Sequence, residues 1–353
     1  MDVADIFRAV WPGYVARFGR LLPPEQHAAA RAILRCRTPA LGGQLYGCDC
    51  GQTHYTYHSC NHRACPKCGY DDNALWLDRQ QSRLLPVPYF LVTFTAPEQL
   101  RQPIRSAMNL WYGALLKESA AALQDIAAQE KYLGAQLGLL AVLQTWTRDL
   151  RFHPHVHLLV PGAGLSPNGL RWKRLKDPQF LFPQARLAAR FKGRLKAWLK
   201  QDHPELLAQV PAKVWWLDWV PDVQAVGSGA AALKYLAAYV NRGPLHPSRI
   251  QSWDGIHVIF RYRDGKGKEQ PCQLSGMEFI RRLLQHVPPR GFQRVRHYGW
   301  LSGAARAKWD RILTLLDWRP PHPQPSTQNS QPPQCPACAK PMRLIGTLPR
   351  CPP

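Results

Sequence analysis

The sequence predicts an α+β fold, in which a small cysteine-rich module precedes a larger domain built on a sheet. Apolar patterns follow the order strand, helix, two strands, helix, strand, helix, which is typical of this class. The glycine-rich motifs of doubly wound nucleotide-binding folds do not occur in the sequence. With 353 residues, 45% of them hydrophobic and 20% charged, the chain can bury a large core, which excludes wholesale disorder.

Strands are predicted where β-branched and aromatic residues concentrate between turn signals. Five runs qualify: 88–95, 137–147, 155–160, 214–220 and 257–262. The second and third flank a short turn and should pair with each other.

Helices are predicted from apolar residues spaced three and four apart, at 98–118, 183–200, 228–242 and 275–286. The second carries six Lys/Arg and no acid beside its apolar stripe. The third is Ala-rich and ends at Gly243-Pro244, and the fourth begins with a capping box formed by Ser275 and Glu278.

Net charge indicates the class of partner. The chain has 46 Lys+Arg against 23 Asp+Glu, a formal charge of +23, which favours a polyanion such as nucleic acid. A membrane surface is the alternative, but the charge is spread along the chain rather than held in one basic helix or tail. No apolar run reaches the roughly 18 residues of a membrane span, and the N-terminus is acidic, unlike a signal peptide. We therefore expect a cytoplasmic, nucleoid-associated protein without a membrane partner.

The ten cysteines form two clusters, with six between positions 36 and 68 and three between 335 and 351. In an intracellular chain, such clusters indicate metal sites rather than disulfides. Cys65-Pro-Lys-Cys68-Gly69 has the spacing of a zinc knuckle.

The second pair of ligands for this zinc is less clearly marked. Cys48 and Cys50 are the obvious pair and give a predicted structural site of Cys48, Cys50, Cys65 and Cys68. Only one residue separates Cys48 from Cys50, however, where two are usual. Members of that pair could therefore be replaced by one of these residues: Cys60, Cys36, His58 or His62.

The C-terminal cluster follows a proline-rich, uncharged stretch at 320–334 that reads as an extended linker. Cys335, Cys338 and Cys351 resemble part of a zinc ribbon and predict a second zinc site. Either His322 completes that site or the ribbon is a shortened version of a longer one. The predicted units are a zinc-binding N-terminal domain, a sheet domain with C-terminal basic helices, the linker and a partial zinc ribbon, at 1–85, 86–319, 320–334 and 335–353.

A histidine pair is the first candidate for chemistry. His155 and His157 lie two residues apart on a predicted strand, so they share one face and Val156 points to the other. Two imidazoles side by side on a rigid element make half of a site for a divalent metal. The alternative is a polar sheet face that happens to be rich in histidine.

A tyrosine pair is the second candidate. Tyr235 and Tyr239 lie one turn apart on the Ala-rich helix. A metal that polarises a phosphodiester, together with a phenol aimed at phosphorus, would form a phosphotyrosine bond without ATP. Simple packing of two tyrosines is the alternative.

Several segments, taken in order, carry a resemblance to a known family: 34–43, the Cys60–Cys68 knuckle, 88–95, 152–161, Tyr235-Leu-Ala-Ala-Tyr239, 278–282 and 296–299. From about residue 36 to 300, the chain resembles the two-tyrosine rolling-circle transposases of the HUH endonuclease superfamily, of the insertion sequence 91 family.

The resemblance implies a central antiparallel sheet with flanking helices that nicks and transfers single-stranded DNA through a 5′-phosphotyrosine. It implies that His155 and His157 bind Mg²⁺ or Mn²⁺, and that Tyr235 and Tyr239 cleave the donor and target strands. A third metal ligand is usually polar, with Asn241, His153 and Glu98 as candidates. The N-terminal zinc domain would help to recognise element ends. The expected partner is single-stranded DNA at element ends and target site, and a homo-oligomer is left open.

Basic residues near aromatic side chains are candidates for DNA contact. They lie on the helix 183–200, in the stretch 275–319 and at these positions: Lys234, Arg242, Arg281, Arg282 and Arg296. A solvated charged face over an aromatic core is the alternative. For the whole protein, the alternatives are an HUH replication initiator or relaxase and a non-catalytic, zinc-dependent nucleic-acid-binding protein.

Overall fold

The computed structural model describes residues 2–240, 243–321 and 332–351. The elements of the first half are α1 (Val3–Phe18), α2 (Pro24–Arg35), β1 (Gly43–Gly47), β2 (Thr53–Tyr57), α3 (Tyr70–Gln81), β3 (Tyr89–Thr95), α4 (Arg101–Ser106), α5 (Met108–Ala127), β4 (Gly138–Trp146), β5 (Phe152–Pro161), β6 (Ala163–Leu165) and β7 (Trp172–Arg174). Those of the second half are α6 (Gln184–Asp202), α7 (Pro204–Leu207), β8 (Asp222–Ala225), α8 (Ala230–Val240), β9 (Ile250–Trp253), β10 (His257–Arg263), β11 (Glu269–Ser275), α9 (Gly276–Leu284), β12 (Val295–Gly299), α10 (Arg306–Leu316) and β13 (Arg343–Leu348).

The central sheet has five strands in the order β12-β4-β5-β3-β8. Every neighbouring pair in it is antiparallel, so the α+β class and the antiparallel sheet are confirmed. Strand β5 is in the middle, with both edges hydrogen-bonded to β3 and β4. A side chain on β5 is therefore held by neighbours on either side.

The two faces of this sheet are covered by different helices. One face carries Val156, Leu158 and Val160 of β5 and packs against α5 and α6 in the largest hydrophobic core. The opposite face carries Leu159 and packs against Leu236 of α8 and Ile312 of α10. Because side chains alternate along a strand, the face of Leu159 is also that of residues 155 and 157.

The N-terminal helices do not pack mainly against the central sheet. Helices α1 and α2 share a core with Phe260 of β10, Leu274 of β11 and Phe279 of α9. The antiparallel sheet β11-β10-β9 thus lies beside the N-terminal segment. This core therefore contains residues from both sides of the domain boundary that the sequence predicts at 85/86. The predicted domain limits stay a prediction.

Most predicted elements of the sheet domain are confirmed, with two differences. Residues 214–220 do not form the predicted strand: a 3-10 helix spans Ala212–Trp216, and Trp219 donates its indole N–H to the carbonyl of Val214. The aromatic residues of this segment predicted a strand, but Trp215 and Trp219 instead stack on each other within a compact turn. The predicted helix 98–118 is interrupted at Ala107, where the backbone leaves helical geometry between α4 and α5.

Candidate active site and thiol clusters

The histidine pair lies on the middle strand of the sheet. The imidazole rings of His155 and His157 on β5 are 4.8 Å apart between centroids and nearly perpendicular. Both side chains are more than nine-tenths buried. Since β5 is paired on both sides, the two rings are fixed relative to each other.

Hydrogen bonds to the Nδ1 atoms orient both rings. His155 Nδ1 lies 2.7 Å from the carbonyl oxygen of His153, which can only accept, so this nitrogen carries the proton. His157 Nδ1 lies 2.9 Å from the hydroxyl of Thr93 on β3, which can accept or donate. The Nε2 of His155 is therefore unprotonated, whereas Nε2 of His157 donates to the amide oxygen of Gln144, which can only accept. Nδ1 held by a protein oxygen, with Nε2 left for the ion, is the usual arrangement of metal-binding histidines.

Burial keeps both imidazoles neutral. It lowers the pKa of His155 to about 4, and burial together with the neighbouring His155 lowers the pKa of His157 to about 3. A neutral imidazole is the form that binds a metal ion.

Gln144 is a member of this site that the sequence analysis missed. It lies opposite His155 on β4, and its Oε1 atom is 3.3 Å from Nε2 of His157. Its amide nitrogen donates to the carbonyl of Trp146 at 3.0 Å, which fixes the orientation of the amide. The signal was available, because a polar residue interrupts an otherwise apolar strand.

The tyrosine pair faces the histidine pair from α8. The rings of Tyr235 and His157 are 5.7 Å apart between centroids in an edge-to-face arrangement. The rings of Tyr235 and Tyr239 are 5.0 Å apart. Tyr235 is 40% exposed, whereas Tyr239 is half-buried beside Trp146. The fold therefore brings the Tyr235 ring beside His157 and Tyr239 beside Tyr235, and the catalytic roles of the two pairs stay a prediction.

Tyr239 adjoins a cavity of about 180 Å³ whose wall includes two arginines, Arg148 and Arg249. Burial and the neighbouring Tyr235 phenol raise the pKa of Tyr239, and the two guanidinium groups act in the opposite direction. The sequence did not indicate either arginine. Arg148 lies in the β4–β5 turn, and Arg249 becomes a neighbour of Tyr239 only when the chain folds.

The three candidates for a third metal ligand lie in different surroundings. The Nδ1 atom of His153 accepts a hydrogen bond from the guanidinium of Arg101 at 3.3 Å. Glu98 is paired with the same arginine, and its side chain is largely exposed. Asn241 lies outside the described residues.

The predicted DNA-contacting residues are spread over several elements. Lys234 is exposed on α8 next to Tyr235. Arg281 and Arg282 both pair with Glu278, at 2.5 and 2.7 Å. The guanidinium of Arg296 on β12 lies 5.4 Å from the ring centre of Phe292. Arg242 lies outside the described residues, and DNA contact by this set stays a prediction.

The first thiol cluster is buried under α1 and α2. It contains Cys36, Cys60, Cys65 and Cys68, with all four sulfurs within 4.8 Å of one another. The sulfur of Cys68 is 3.5 Å from that of Cys36 and 3.6 Å from that of Cys60. Four thiols at tetrahedral spacing fit a structural zinc ion.

This grouping corrects the sequence-based ligand set. Cys48 and Cys50 do not share a site with Cys65 and Cys68: Cys36 and Cys60, which were alternatives, take their place. The reason is that Cys48 and Cys50 lie in the turn between β1 and β2, where they meet a different pair of thiols.

Cys335 and Cys338 are that other pair, and together with Cys48 and Cys50 they form a second cluster. Cys351, predicted as a third ligand of the C-terminal site, instead points its thiol at the carbonyl of Pro39. His322, the suggested completing ligand, lies outside the described residues. The spacing within each pair gave no indication that the two ends of the sequence would meet.

Comparisons with known proteins identify the family. A family model described as "Putative transposase" matches residues 138–308, and one described as "Transposase zinc-binding domain", named for the insertion sequence IS91, matches residues 6–96. "Putative transposase y4qJ" of Sinorhizobium fredii (strain NBRC 101917 / NGR234) is 34% identical over 343 residues, covering 91% of this chain and 86% of that protein. The chain belongs to the IS91 family of transposases.

A second relative of this IS91-family transposase is the transposase for insertion sequence element IS801 of Pseudomonas savastanoi pv. phaseolicola. It is 28% identical over 315 residues, which cover 83% of this chain and 74% of that protein. No solved structure gives a significant match. In the described part of the transposase, no helix has the length and apolar character needed to cross a bilayer.

Proposed function

We propose that this transposase nicks single-stranded DNA and joins it covalently to a tyrosine, with His155, His157 and a divalent cation at the site of cleavage. The observation that carries the proposal is the meeting of two buried, neutral imidazoles on β5 with the Tyr235 ring on α8. A phenol next to a metal half-site is the equipment for phosphoryl transfer to tyrosine.

The donor set fits Mg²⁺ or Mn²⁺. Nε2 of His155, Nε2 of His157 and Oε1 of Gln144 would hold the ion; the amide oxygen is a ligand suited to Mg²⁺ and Mn²⁺, and neutral imidazole is the commonest side-chain metal ligand. Nε2 of His157 and Oε1 of Gln144 are 3.3 Å apart. On binding, the cation would take the place of the proton between these two atoms, and that proton would move to Nδ1 of His157, where the hydroxyl of Thr93 can accept it. When bound, the ion would polarise the phosphodiester and stabilise the charge that develops on its oxygens.

The residues of the chain then supply the nucleophile. The oxygen of Tyr235 forms a bond to phosphorus, the bond from phosphorus to the 3′ oxygen breaks, and a 5′-phosphotyrosine results. The phenol loses one proton and the departing 3′ oxygen gains one, so the number of protons is unchanged. The reverse reaction, with a different 3′ hydroxyl, transfers the strand.

The two tyrosines differ in position, which favours different roles. Tyr235 is the more exposed and packs against His157, so we assign it the first cleavage. Tyr239 lies beside the cavity that contains Arg148 and Arg249, whose charges favour its phenolate. We assign it the second strand, after the first is bound.

The structure also favours an unpaired strand as substrate. The histidines are buried between the sheet and α8, and the phosphate must come within reach of Tyr235 on that helix. A single strand can thread to such a site, and exposed cations such as Lys234 would follow its backbone.

Covalent trapping tests the proposal. The full chain is incubated with end-labelled single-stranded DNA bearing the ends of its own element, with Mn²⁺ or with EDTA, and adducts are separated under denaturing conditions. We expect an adduct that needs Mn²⁺ and is abolished by Tyr235→Phe combined with Tyr239→Phe. An adduct that persists in the double variant refutes the assignment. Salt-sensitive binding without any nick would indicate a non-catalytic nucleic-acid-binding protein instead.

A further inference from the structure

The second thiol cluster joins distant parts of the chain. Cys48 and Cys50 lie in the β1–β2 turn, and their partners Cys338 and Cys335 are 290 and 285 residues away. The segment that follows Cys338 leads into β13, which pairs antiparallel with β1. The cluster therefore lies at one end of the three-stranded sheet β13-β1-β2.

The sulfur positions are those of a tetrahedral site. Cys48 Sγ is 3.4 Å from Cys338 Sγ, and Cys50 Sγ is 3.5 Å from Cys335 Sγ and 3.7 Å from Cys338 Sγ. Four sulfurs about 2.3 Å from a zinc ion would be about 3.8 Å from one another. All four cysteines are free thiols. The spacing is thus close to that of a four-thiolate zinc site and far longer than a disulfide bond, which is about 2.0 Å.

Backbone amides point at these sulfurs. The amide of Gln52 hydrogen-bonds to Cys50, those of Ala337 and Cys338 to Cys335, and that of Lys340 to Cys338. Such bonds stabilise a thiolate over a thiol and are a feature of metal-binding knuckles. Ala339 adopts a left-handed backbone at φ 56°, which turns the chain tightly around Cys335.

The sheet beside the cluster needs support that its side chains do not provide. Strands β2 and β13 are mostly exposed, and none of the described residues of β1, β2 or β13 belongs to the three hydrophobic cores. A sheet with so little buried apolar area is marginal on its own, and a structural metal is a common remedy.

We propose that Cys48, Cys50, Cys335 and Cys338 bind a second structural zinc ion that fastens β13 to the N-terminal hairpin. Thiolates are soft ligands that select zinc over magnesium, and four protein ligands leave no open position for chemistry. Closing a chain segment of this length removes much freedom from the unfolded state, so the ion stabilises the contact between the two ends.

The backbone is shaped for this contact. Gly42 has φ 68°, a left-handed conformation, and a Cβ at this position would lie 2.5 Å from the carbonyl oxygen of Leu348. Asp49 in the β1–β2 turn forms an ion pair with Arg343 at the start of β13. The glycine permits the close approach of β13 at one end of β1, and the exposed ion pair connects the turn that carries Cys48 and Cys50 to the first residue of β13.

Metal counting on the full chain tests the proposal. We expect two zinc ions per wild-type chain. Cys48→Ser with Cys50→Ser should lose one, Cys335→Ser with Cys338→Ser should also lose one, and all four substitutions together should lose no more than one. Cys272→Ser and Cys351→Ser, outside both clusters, are the controls and should keep two. A single zinc in the wild type, two in either pair variant, or another metal in the second site would overturn the proposal.

A second measurement needs no substitution. Chelator titration of the wild-type chain should remove the more accessible zinc first, and hydrogen exchange of the β13 amides should accelerate by at least tenfold at that step. Exchange in β4 and β5 should stay unchanged, which shows that the rest of the fold is intact. Unchanged protection of β13 after loss of that ion would contradict the fastening role. So would a disulfide between the two pairs, found by mass under non-reducing conditions.

Discussion

At the residue scale, Gln144 offers the clearest test of the metal half-site. Replacing it by Leu keeps the volume but removes the oxygen that faces Nε2 of His157. We expect the Mn²⁺ concentration for half-maximal adduct formation to rise by at least roughly 10- to 100-fold, since even the loss of a residue that only orients a ligand costs that much. Gln144→Glu keeps an oxygen ligand and should retain activity. Gln273→Leu, on the exposed hairpin strand β11, is the matched control. An unchanged Mn²⁺ dependence in Gln144→Leu would exclude Gln144 from the site.

The two phenols make a second prediction at this scale. Tyr235→Phe should reduce the first cleavage by at least 100-fold, because the phenol next to His157 is lost. Tyr239→Phe should leave first cleavage within about threefold and block strand joining, since this phenol lies beside Arg148 and Arg249. Labelled donor and target strands, followed separately, distinguish the steps. Equal loss of first cleavage in both variants would argue against separate roles.

A buried histidine outside the site predicts a pH dependence of stability. Burial lowers the pKa of His286 to about 3 from its ordinary 6.5. Between these values the unfolded chain takes up a proton that the folded chain does not, so stability falls as the pH falls. The slope for one such group is about 1.4 kcal/mol per pH unit. In urea unfolding at pH 7, 6 and 5, the free energy of unfolding of His286→Gln should fall less steeply with falling pH than that of wild type. The difference in slope should correspond to about one proton. Parallel curves would contradict this.

At the element scale, the contact of α5 with α6 shows why a basic helix is not by itself a DNA site. Arg194 of α6 pairs with the buried Glu118 of α5 at 2.8 Å, and Arg190 pairs with Asp125. Two of the six basic residues that suggested DNA contact are therefore engaged within the fold. The sequence showed the charge of α6 but not the acids that face it.

This contact predicts a stability effect. Arg194→Leu removes the nearer cation from the buried carboxylate of Glu118 and leaves Lys117 at 3.9 Å; breaking a fully buried pair costs about 3–5 kcal/mol. Because Arg194 is 29% exposed, we expect about 2–3 kcal/mol in urea unfolding. Adding Glu118→Gln should recover most of the loss. Arg190→Leu, whose side chain is 53% exposed, should cost less than about 1 kcal/mol. A loss that Glu118→Gln does not relieve would argue for lost packing instead.

The same scale shows what the sequence could predict. The strands at 88–95 and 155–160 were found because alternation and β-branching are local properties, and the positions of His155 and His157 followed from them. The partners Thr93, Gln144 and Arg249 depend on which strands and loops become neighbours. The thiol clusters are the extreme case. Closely spaced cysteines are visible in the sequence, but which of them meet across the length of the chain is decided by β13 pairing with β1.

At the scale of the whole molecule, the first thiol cluster packs against the segment that follows the tyrosine helix. Pro66 of the knuckle lines the cavity beside Tyr239. Gly243, just beyond α8, packs so closely on the knuckle that a Cβ there would be 2.9 Å from the carbonyl oxygen of Ala64. The knuckle therefore supports the end of the tyrosine helix as well as the N-terminal helices.

Metal loss at the knuckle should consequently affect catalysis. Cys65→Ser with Cys68→Ser should lose one zinc, reduce adduct formation by at least tenfold and speed hydrogen exchange in α8. Cys272→Ser, a thiol outside both clusters, is the control. Full adduct formation by the zinc-depleted double variant would show that the knuckle and the tyrosine helix are independent.

The location of the histidines on the middle strand also determines which length changes this gene can tolerate. Deleting one codon within β5 shifts every later side chain to the opposite face, so an imidazole would enter the apolar core and a valine would take its place opposite α8. Deleting one codon in the turn at 148–151 changes only the connection. A library of single-codon deletions should therefore show abrupt inactivation along the strand and graded losses in the turn. We therefore expect length changes in the β4–β5 hairpin to be tolerated at its tip and not along the strand.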